Sequence, residues 1–377
     1  MTGISDMSDE ITENARVIEN AQPAENIQSV KKDADNSGLY SGGVFRAGEK
    51  VQLTDRRLKK VTVQLVPGGL TSTEHGNIVH DDIIGKPEGT VTTTVSAKKK
   101  DSKTDSRKPW KNSTQTGGWQ YSAMRPRLVD YVLSMPRGAQ IMFPKDIAQV
   151  VSLADIRPGM KVLESGAGSG AMSLGILNAV GSRGKLVSIE IRDDFAKIAM
   201  ANAAVFFGER PQWWDIREGS FDSVAQTLEK HSFDRIVLDM LDPWNRLEKA
   251  YELLVPGAVL AAYVTTVTQV SRLAEALRES GNWTEPEIVE TVERSWKSSG
   301  LAVRPNHQMT GHTGFIVVSR SMALEGTALK KRDRATKDTY TDVDELESLE
   351  LRDISDRKIR KVIRDLDTMV KALPKNE

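Results

Sequence analysis

The 377-residue sequence predicts an α/β protein: a Rossmann-like, mainly parallel sheet with an antiparallel edge strand, preceded by a small all-β domain. Three observations carry this. Between residues 160 and 280, strand-like apolar runs alternate with helix-length segments, the cadence of parallel βαβ units. Beyond them, EPEIVETVERSWK and TGFIVVSR read as two strands with no amphipathic helix between, which implies an antiparallel edge pair. Upstream, FRAGEKVQLTD, KKVTVQLVPGG, GNIVHDDIIG and GTVTTTVS are short β-branched runs broken by Gly and Pro, the pattern of a small β module.

Taken in order, residues 1–43 are polar and acidic and bury too little apolar surface to offset the entropy of ordering, so disorder is expected. The β-rich domain occupies 44–96. Residues 97–118 (AKKKDSKTDSRKPWKNSTQTGG) are basic, Ser/Thr-rich and aperiodic, a flexible insertion that reads either as an electrostatic arm or as a plain solvated loop. The α/β domain spans 119–321. It begins with helical pieces at Leu128–Leu133 and Ile147–Leu153 around a Pro/Gly turn. Strands are then expected at 160–165, 185–191, 213–218, 233–239 and 257–264, with helices at 169–180, 193–207, 222–230, 245–254 and 267–280. Residues 322–377 are charge-dense, and Ile354–Leu373 repeats Ile, Val and Leu at helical spacing, predicting an amphipathic helix.

Lys+Arg and Asp+Glu stand at 52 each, so no overall basic field advertises nucleic acid, although a local patch can still bind it. With no cysteine, disulfides, thiolate metal sites and a cysteine nucleophile are excluded, and five scattered histidines indicate no metal. The start, MTGISDMSDEITENAR, lacks the apolar core of a secretory signal, and no apolar run approaches the ~20 residues of a membrane span. A cytoplasmic protein is expected.

The chemistry concentrates in VLESGAGSGAM (162–172). Gly166, Gly168 and Gly170 follow a predicted strand and precede a predicted helix, where glycine lets backbone amides approach a ligand. With Glu164 the run reads E-x-G-x-G-x-G, whereas a dinucleotide loop reads G-x-G-x-x-G. Glu190 ends the next strand, 20 residues after Gly170, where a carboxylate can accept both ribose hydroxyls. Asp239 ends the fourth strand in IVLDMLDPWN, at the carboxyl edge where open α/β sheets bind ligands. An acidic residue beside Trp244 suits the amino group of a flat base, and no hydride-transfer constellation is nearby. Together these residues favour a methyl donor over a nicotinamide cofactor. Plainer readings stand beside them: a tight βα turn, a solvent-facing strand-end glutamate, and a helix cap for Asp239.

Four stretches, RPRLVDYVLSMPRGAQIMFPKD, VLESGAGSGAMS, VLDMLDPW and VRPNHQMTGHTGFIVVSR, resemble in that order the bacterial and archaeal tRNA (adenine-N1)-methyltransferases that modify adenine 58 of the T-loop. The resemblance runs from about Val44 to Arg320. It implies a class I methyltransferase sheet, S-adenosyl-L-methionine as donor, tRNA as partner and a homotetramer. It also implies that Gln140, Ser169, Gly170, Ala171 and Met172 lie along the donor, with Glu190 on the ribose and Asp239 as the catalytic residue receiving the adenine. Glu164, Gly166, Gly168, Ser220 and Asp239 itself complete the candidate cofactor set. Where the family often has tyrosine this chain has Phe143, and Phe195 replaces a residue that is polar in some relatives. Two alternatives stay open: a class I methyltransferase for a protein or small molecule, and a non-catalytic tRNA-binding subunit.

Further readings concern the periphery. His307 and His312 read as structural hydrogen-bonding groups, Arg304 as a phosphate contact, and Trp213 and Trp214 as one core and one cofactor-side or interface residue. Trp110 and Trp119 are candidates for stacking on RNA. Arg56, Arg57, Lys59, Lys60, Lys98, Lys99 and Lys100 are candidates for its phosphates.

Overall fold

The structure, a computed structural model, describes residues 43–96 and 117–329 together with Ile363, Arg364 and Leu366. The expected N-terminal tail and nearly all of the basic insertion, with Trp110 and Lys98–Lys100, lie outside the described residues. Of the expected C-terminal helix only those last three residues are described; they are helical and exposed, and belong to a unit (Leu329–Glu377) separate from the rest.

The N-terminal module is built on a four-stranded antiparallel sheet. Its strands are β1 (Lys50–Asp55), β2 (Lys60–Gln64), β5 (Val91–Thr93) and β6 (Gln120–Met124), ordered β2-β1-β6-β5. A hairpin of β3 (Leu70–Thr73) and β4 (Gly76–Val79) completes it. Alternation sends Val51 and Leu53 of β1 and Tyr121 and Ala123 of β6 inward, onto Phe45, Leu65, Ile78 and Ile83. The last strand corrects a boundary: residues 120–124, expected to open the α/β domain at 119, lie in the module's sheet beside β1. The insertion therefore interrupts the module rather than following it.

The larger sheet has seven strands in the order β12-β15-β11-β10-β7-β8-β9. Here β7 is Lys161–Ser165, β8 Lys185–Glu190, β9 Trp214–Glu218, β10 Phe233–Asp239, β11 Leu254–Val264, β12 Glu287–Val289 and β15 Phe315–Arg320. The strands from β11 to β9 are parallel, and β15 runs antiparallel between β11 and β12. Helices α1 (Leu128–Ser134), α2 (Pro144–Leu153), α3 (Ala171–Val180) and α4 (Asp193–Phe207) cover one face, and α5 (Phe221–Ala225), α6 (Leu247–Leu253) and α7 (Val267–Ser280) the other. The pleat dictates which core each residue joins: Val162, Leu186 and Val237 meet the first set, and Leu163, Val187 and Leu238 the second. Leu163, Leu174, Ile176 and Leu177 are fully buried, each contributing about 1.5–3 kcal/mol of transfer free energy.

Departures from expectation have local causes. Helix α3 starts at Ala171 because Gly170, at φ +90°, caps it from the left-handed region. Helix α5 stops at Ala225, and the Thr227 hydroxyl, bonded to the Val224 carbonyl, satisfies the backbone in a turn instead. A 3₁₀ turn, Pro243–Arg246, replaces the first part of the helix expected at 245–254. Strand β11 begins three residues early and carries Pro256, because a register shift between Phe233 and Arg235 relieves that stretch of the ladder. The run read as one strand from Glu285 to Lys297 is two. Only Glu287–Val289 joins the sheet, while β13 (Trp296–Ser299) pairs with β14 (Ala302–Pro305) in a separate exposed hairpin.

Candidate active site

The glycine loop turns directly out of β7, and each glycine answers a specific demand. At Gly166 (φ +92°) an added Cβ would stand 1.9 Å from the backbone oxygen of Asp239. A Cβ on Gly170 would press on α4, 3.2 Å from Ala199 Cα. The loop is held to β8 by the Gly166 amide, which donates to the Ile189 carbonyl (2.9 Å), and by the Gly168 amide, which donates to Glu190 Oε2 (2.7 Å). Glu190 Oε1 accepts from the Arg192 amide (3.0 Å). A carboxylate has about four acceptor positions, so Glu190 orders the loop and keeps capacity for ligand hydroxyls.

A strap formed by residues 136–140 lies over this loop. The Ser169 hydroxyl accepts from the amides of Gly138 (3.1 Å) and Ala139 (3.3 Å). Asn202, buried on α4, donates through one side-chain amide to the carbonyls of Pro136 (2.8 Å) and Ser169 (2.9 Å), tying strap to loop. The Asn202 backbone carbonyl accepts the Tyr131 hydroxyl at 2.7 Å. Phe195 supports the strap from below: a Cβ on Gly138 would meet its ring at 2.9 Å, and the Arg192 guanidinium covers it at 3.2 Å.

Strap, loop and the end of β10 enclose a cleft lined by Gln140, Ile141, Met142, Gly166, Ala167, Gly168, Ser169, Ala171, Met172 and Asp239. The structure thus brings together Gln140, Gly166, Gly168, Ser169, Ala171, Met172 and Asp239. Gly170 sits behind, at the helix cap, and Glu190 beneath, holding the loop. Glu164 is fully buried inside the sheet, accepting from the Ser173 and Ser188 hydroxyls, with Oε1 unpartnered. Ser220 spends its hydroxyl capping α5 (Ser223 amide, 3.2 Å). Asp239 makes no such cap: the 3₁₀ turn begins after Asp242 without a side-chain cap, which removes the plainer reading of this aspartate.

Glu190 and Asp239 end their strands, and Glu164 stands one residue before the end of β7 between them. Burial, with the charges of Glu164 and Glu190 behind it, pushes the Asp239 carboxyl up to about 7. Burial likewise pushes Glu164 up to about 7 against the pull of its two serine hydroxyls, with the charge of Glu190 adding to the rise. Such a cluster is poised for a ligand that carries positive charge.

The peripheral residues are mostly structural. Trp214 is the core residue, buried and donating to Ser188, while Trp213 is half-buried against Phe207 and does not line the cleft. Trp119 stacks on His75 at 4.1 Å, carries Arg57 over its ring and donates to Asp55, which leaves it engaged within the module rather than presented for stacking. Arg56 pairs with Gln120, Lys59 with Glu74, and Lys60 with Asp130 of α1 (2.8 Å). His312 bridges Glu290 (2.6 Å) and the Thr265 carbonyl (2.9 Å), the structural part read for it. His307 and Arg304 are exposed, and Phe143 occupies the N-cap position of α2. Among the described residues no cluster of histidines and acids is placed to hold a metal, and no helix is long and apolar enough to cross a membrane.

The sheet, its antiparallel β15, the glycine loop and the two strand-end carboxylates define a class I S-adenosylmethionine-dependent methyltransferase. Residues 118–302 match the family described as the tRNA methyltransferase complex GCD14 subunit, and residues 43–92 match the TrmI-like N-terminal family. The chain is 35% identical over 206 residues to the tRNA (adenine(58)-N(1))-methyltransferase TrmI of Thermus thermophilus, covering 54% of this chain and 78% of that relative. It is 34% identical to the tRNA (adenine(57)-N(1)/adenine(58)-N(1))-methyltransferase TrmI of Methanocaldococcus jannaschii, covering 54% and 79%. Two crystal structures are similar at 25% identity. The tRNA (m1A58) methyltransferase TrmI of Aquifex aeolicus superposes with a TM-score of 0.61 over 74% of this chain and all of that one. A SAM-dependent O-methyltransferase of Thermotoga maritima gives 0.64 over 77% and 97%. The chain belongs to the tRNA (adenine-58-N1)-methyltransferase family.

Sequence reasoning missed Asn202, a lone amide inside a helix whose partners lie 33 and 66 residues away. Asn202→Ala leaves two carbonyls without their donor and frees the strap. S-adenosylmethionine binding measured by titration calorimetry is expected to weaken about tenfold, or about 1.4 kcal/mol, with the fold retained. Unchanged affinity would show that the strap holds without it.

Proposed function

We propose that this protein transfers a methyl group from S-adenosylmethionine to N1 of adenine 58 in the T-loop of tRNA. The observation that carries the reading is Asp239: its backbone abuts Gly166 of the donor loop, and it lines the same cleft. Bound donor supplies a methyl group on a sulfonium, activated for in-line attack. Adenine N1 has an in-plane lone pair that is free at neutral pH, so no residue need deprotonate it. The chain's task is positioning and exclusion of water.

Asp239 accepts a hydrogen bond from the N6 amino group, fixes the ring, and offsets the positive charge that develops on it. Gln140, Gly166, Gly168, Ser169, Ala171 and Met172 lie along the donor, and Glu190 takes its ribose hydroxyls. Glu164 and Gly170 shape the loop from behind. The target base lies within folded tRNA, so it must be flipped out to reach the cleft. Family resemblance further supports a cytoplasmic homotetramer.

The test is incubation with labelled S-adenosylmethionine and unmodified tRNA, followed by nucleoside analysis. Label on N1 of adenosine at one T-loop position is expected. Label confined to oxygen atoms, to protein or to small molecules would overturn the reading, as would absence of transfer by protein that binds the donor.

A further inference from the structure

A buried ion pair lies beside the cleft without lining it. Lys145 and Asp146, in the first turn of α2, have side chains only 8% and 1% exposed, with Nζ 2.7 Å from Oδ1. Lys145 Nζ also donates to the Thr291 carbonyl (2.8 Å) and to Thr313 Oγ1 (2.6 Å), which uses all three ammonium hydrogens. The Thr313 hydroxyl passes its own hydrogen to Asp146 Oδ2 (2.6 Å), and the Tyr263 hydroxyl reaches the same oxygen at 3.4 Å.

The placement of these partners matters more than their number. Thr291 lies just after β12 and Thr313 just before β15, so one ammonium holds both feet of the 290–314 excursion that carries the β13–β14 hairpin. Tyr263 stands directly across from Asp239 in the β10–β11 register. Gly314 lies flat on the Tyr263 ring, where a Cβ would come 2.3 Å from Cζ. On its other side, α2 follows immediately from Gln140, Ile141 and Met142 of the cleft. The pair therefore joins the donor-side wall to the segment flanking Asp239. A buried pair of this kind adds little stability compared with apolar residues of the same volume, so its presence calls for another role.

We propose that Lys145 and Asp146 are positioning residues for the acceptor side of the site, holding residues 290–314 and Tyr263 in register with Asp239. The inference rests on the tRNA reading above for its catalytic consequence, but not for its structural one. The test compares parent, Lys145→Met and the double variant Lys145→Met/Asp146→Leu, which removes both charges and keeps an apolar filling should the single variant fail to fold. Three readouts are taken: donor affinity, kcat with saturating tRNA, and hydrogen exchange across residues 290–314.

In the double variant donor affinity is expected to stay within about threefold, while kcat falls roughly ten- to a hundredfold, as a misplacement of about 1 Å does. Exchange should rise across 290–314. Unchanged exchange there overturns the proposal, as does parental kcat, or a loss of donor affinity parallel to that of kcat. A parent that methylates no tRNA sinks the function proposed above, while the exchange comparison still judges the tether.

Discussion

Asp239→Ala is expected to lower kcat on tRNA about 10²- to 10³-fold, the usual loss when one preorganised charge-stabilising group is removed, while donor binding changes little. Asp239 lines the cleft at the end of β10, and the hydrogen bonds that tie the glycine loop to β8 and to the strap do not run through its carboxyl. On the proposed mechanism the carboxylate both accepts from N6 and offsets charge on the ring, and the neutral acid loses the second of these. Because burial first, and then Glu164 and Glu190, push this group up to about 7, the acid form prevails at lower pH. The parent's kcat/KM should rise with pH and level off above about 7, before any contribution from a bound cationic donor shifts the limb downward. Asp239→Asn should be slow throughout and lack that limb. Steady-state rates from pH 5.5 to 8.5 for the three proteins decide it. Turnover of the alanine variant within a few-fold of the parent would remove Asp239 from the chemistry.

The parts of this site visible in the sequence are those encoded by short spacing. E-x-G-x-G-x-G announces a βα turn, and Glu190 and Asp239 follow because the ends of parallel strands fall at predictable intervals along βαβ units. What the spacing cannot carry is the direction of a side chain. Glu164 belongs to the motif, yet its carboxyl is fully buried between the sheet and α3, accepting from Ser173 and Ser188, and does not line the cleft. Ser220 has the right place but closes a helix end. Asn202, Lys145 and Thr313 were illegible because their meaning lies in contacts tens to more than a hundred residues distant. The hairpin after β12 was hidden for a different reason: the alternating pattern of EPEIVETVERSWK continues through the break, and only pairing partners separate its two strands. Likewise β6 joined the first module because its inward Tyr121 and Ala123 complete a core begun seventy residues earlier.

Gly166→Ala is expected to do more damage than its single methyl suggests, for reasons that separate into two parts. The residue sits at φ +92°, where an L side chain is strained, costing about 1–2 kcal/mol. Its Cβ would also stand 1.9 Å from the Asp239 carbonyl oxygen, which is backbone and cannot swing aside. Loop and β10 must therefore part, and Asp239 moves with them. Gly159→Ala supplies the control, since Gly159 has nearly the same φ, +90°, with nothing within 4 Å of its Cβ position. The Gly159 variant should show the strain alone, a fall in melting temperature of about 2–6 °C. The Gly166 variant should lose about 3 kcal/mol or more, a fall of about 6–12 °C. Donor binding should weaken at least about tenfold, because the loop that the Gly166 and Gly168 amides tie to β8 shifts with the turn. Thermal melts with and without S-adenosylmethionine, run on both variants, read the two parts separately. Equal melting temperatures for the two variants, with the ligand stabilising both as it does the parent, would mean that β10 yields freely at Asp239 and that the contact between donor loop and acceptor strand does not set the geometry of the site.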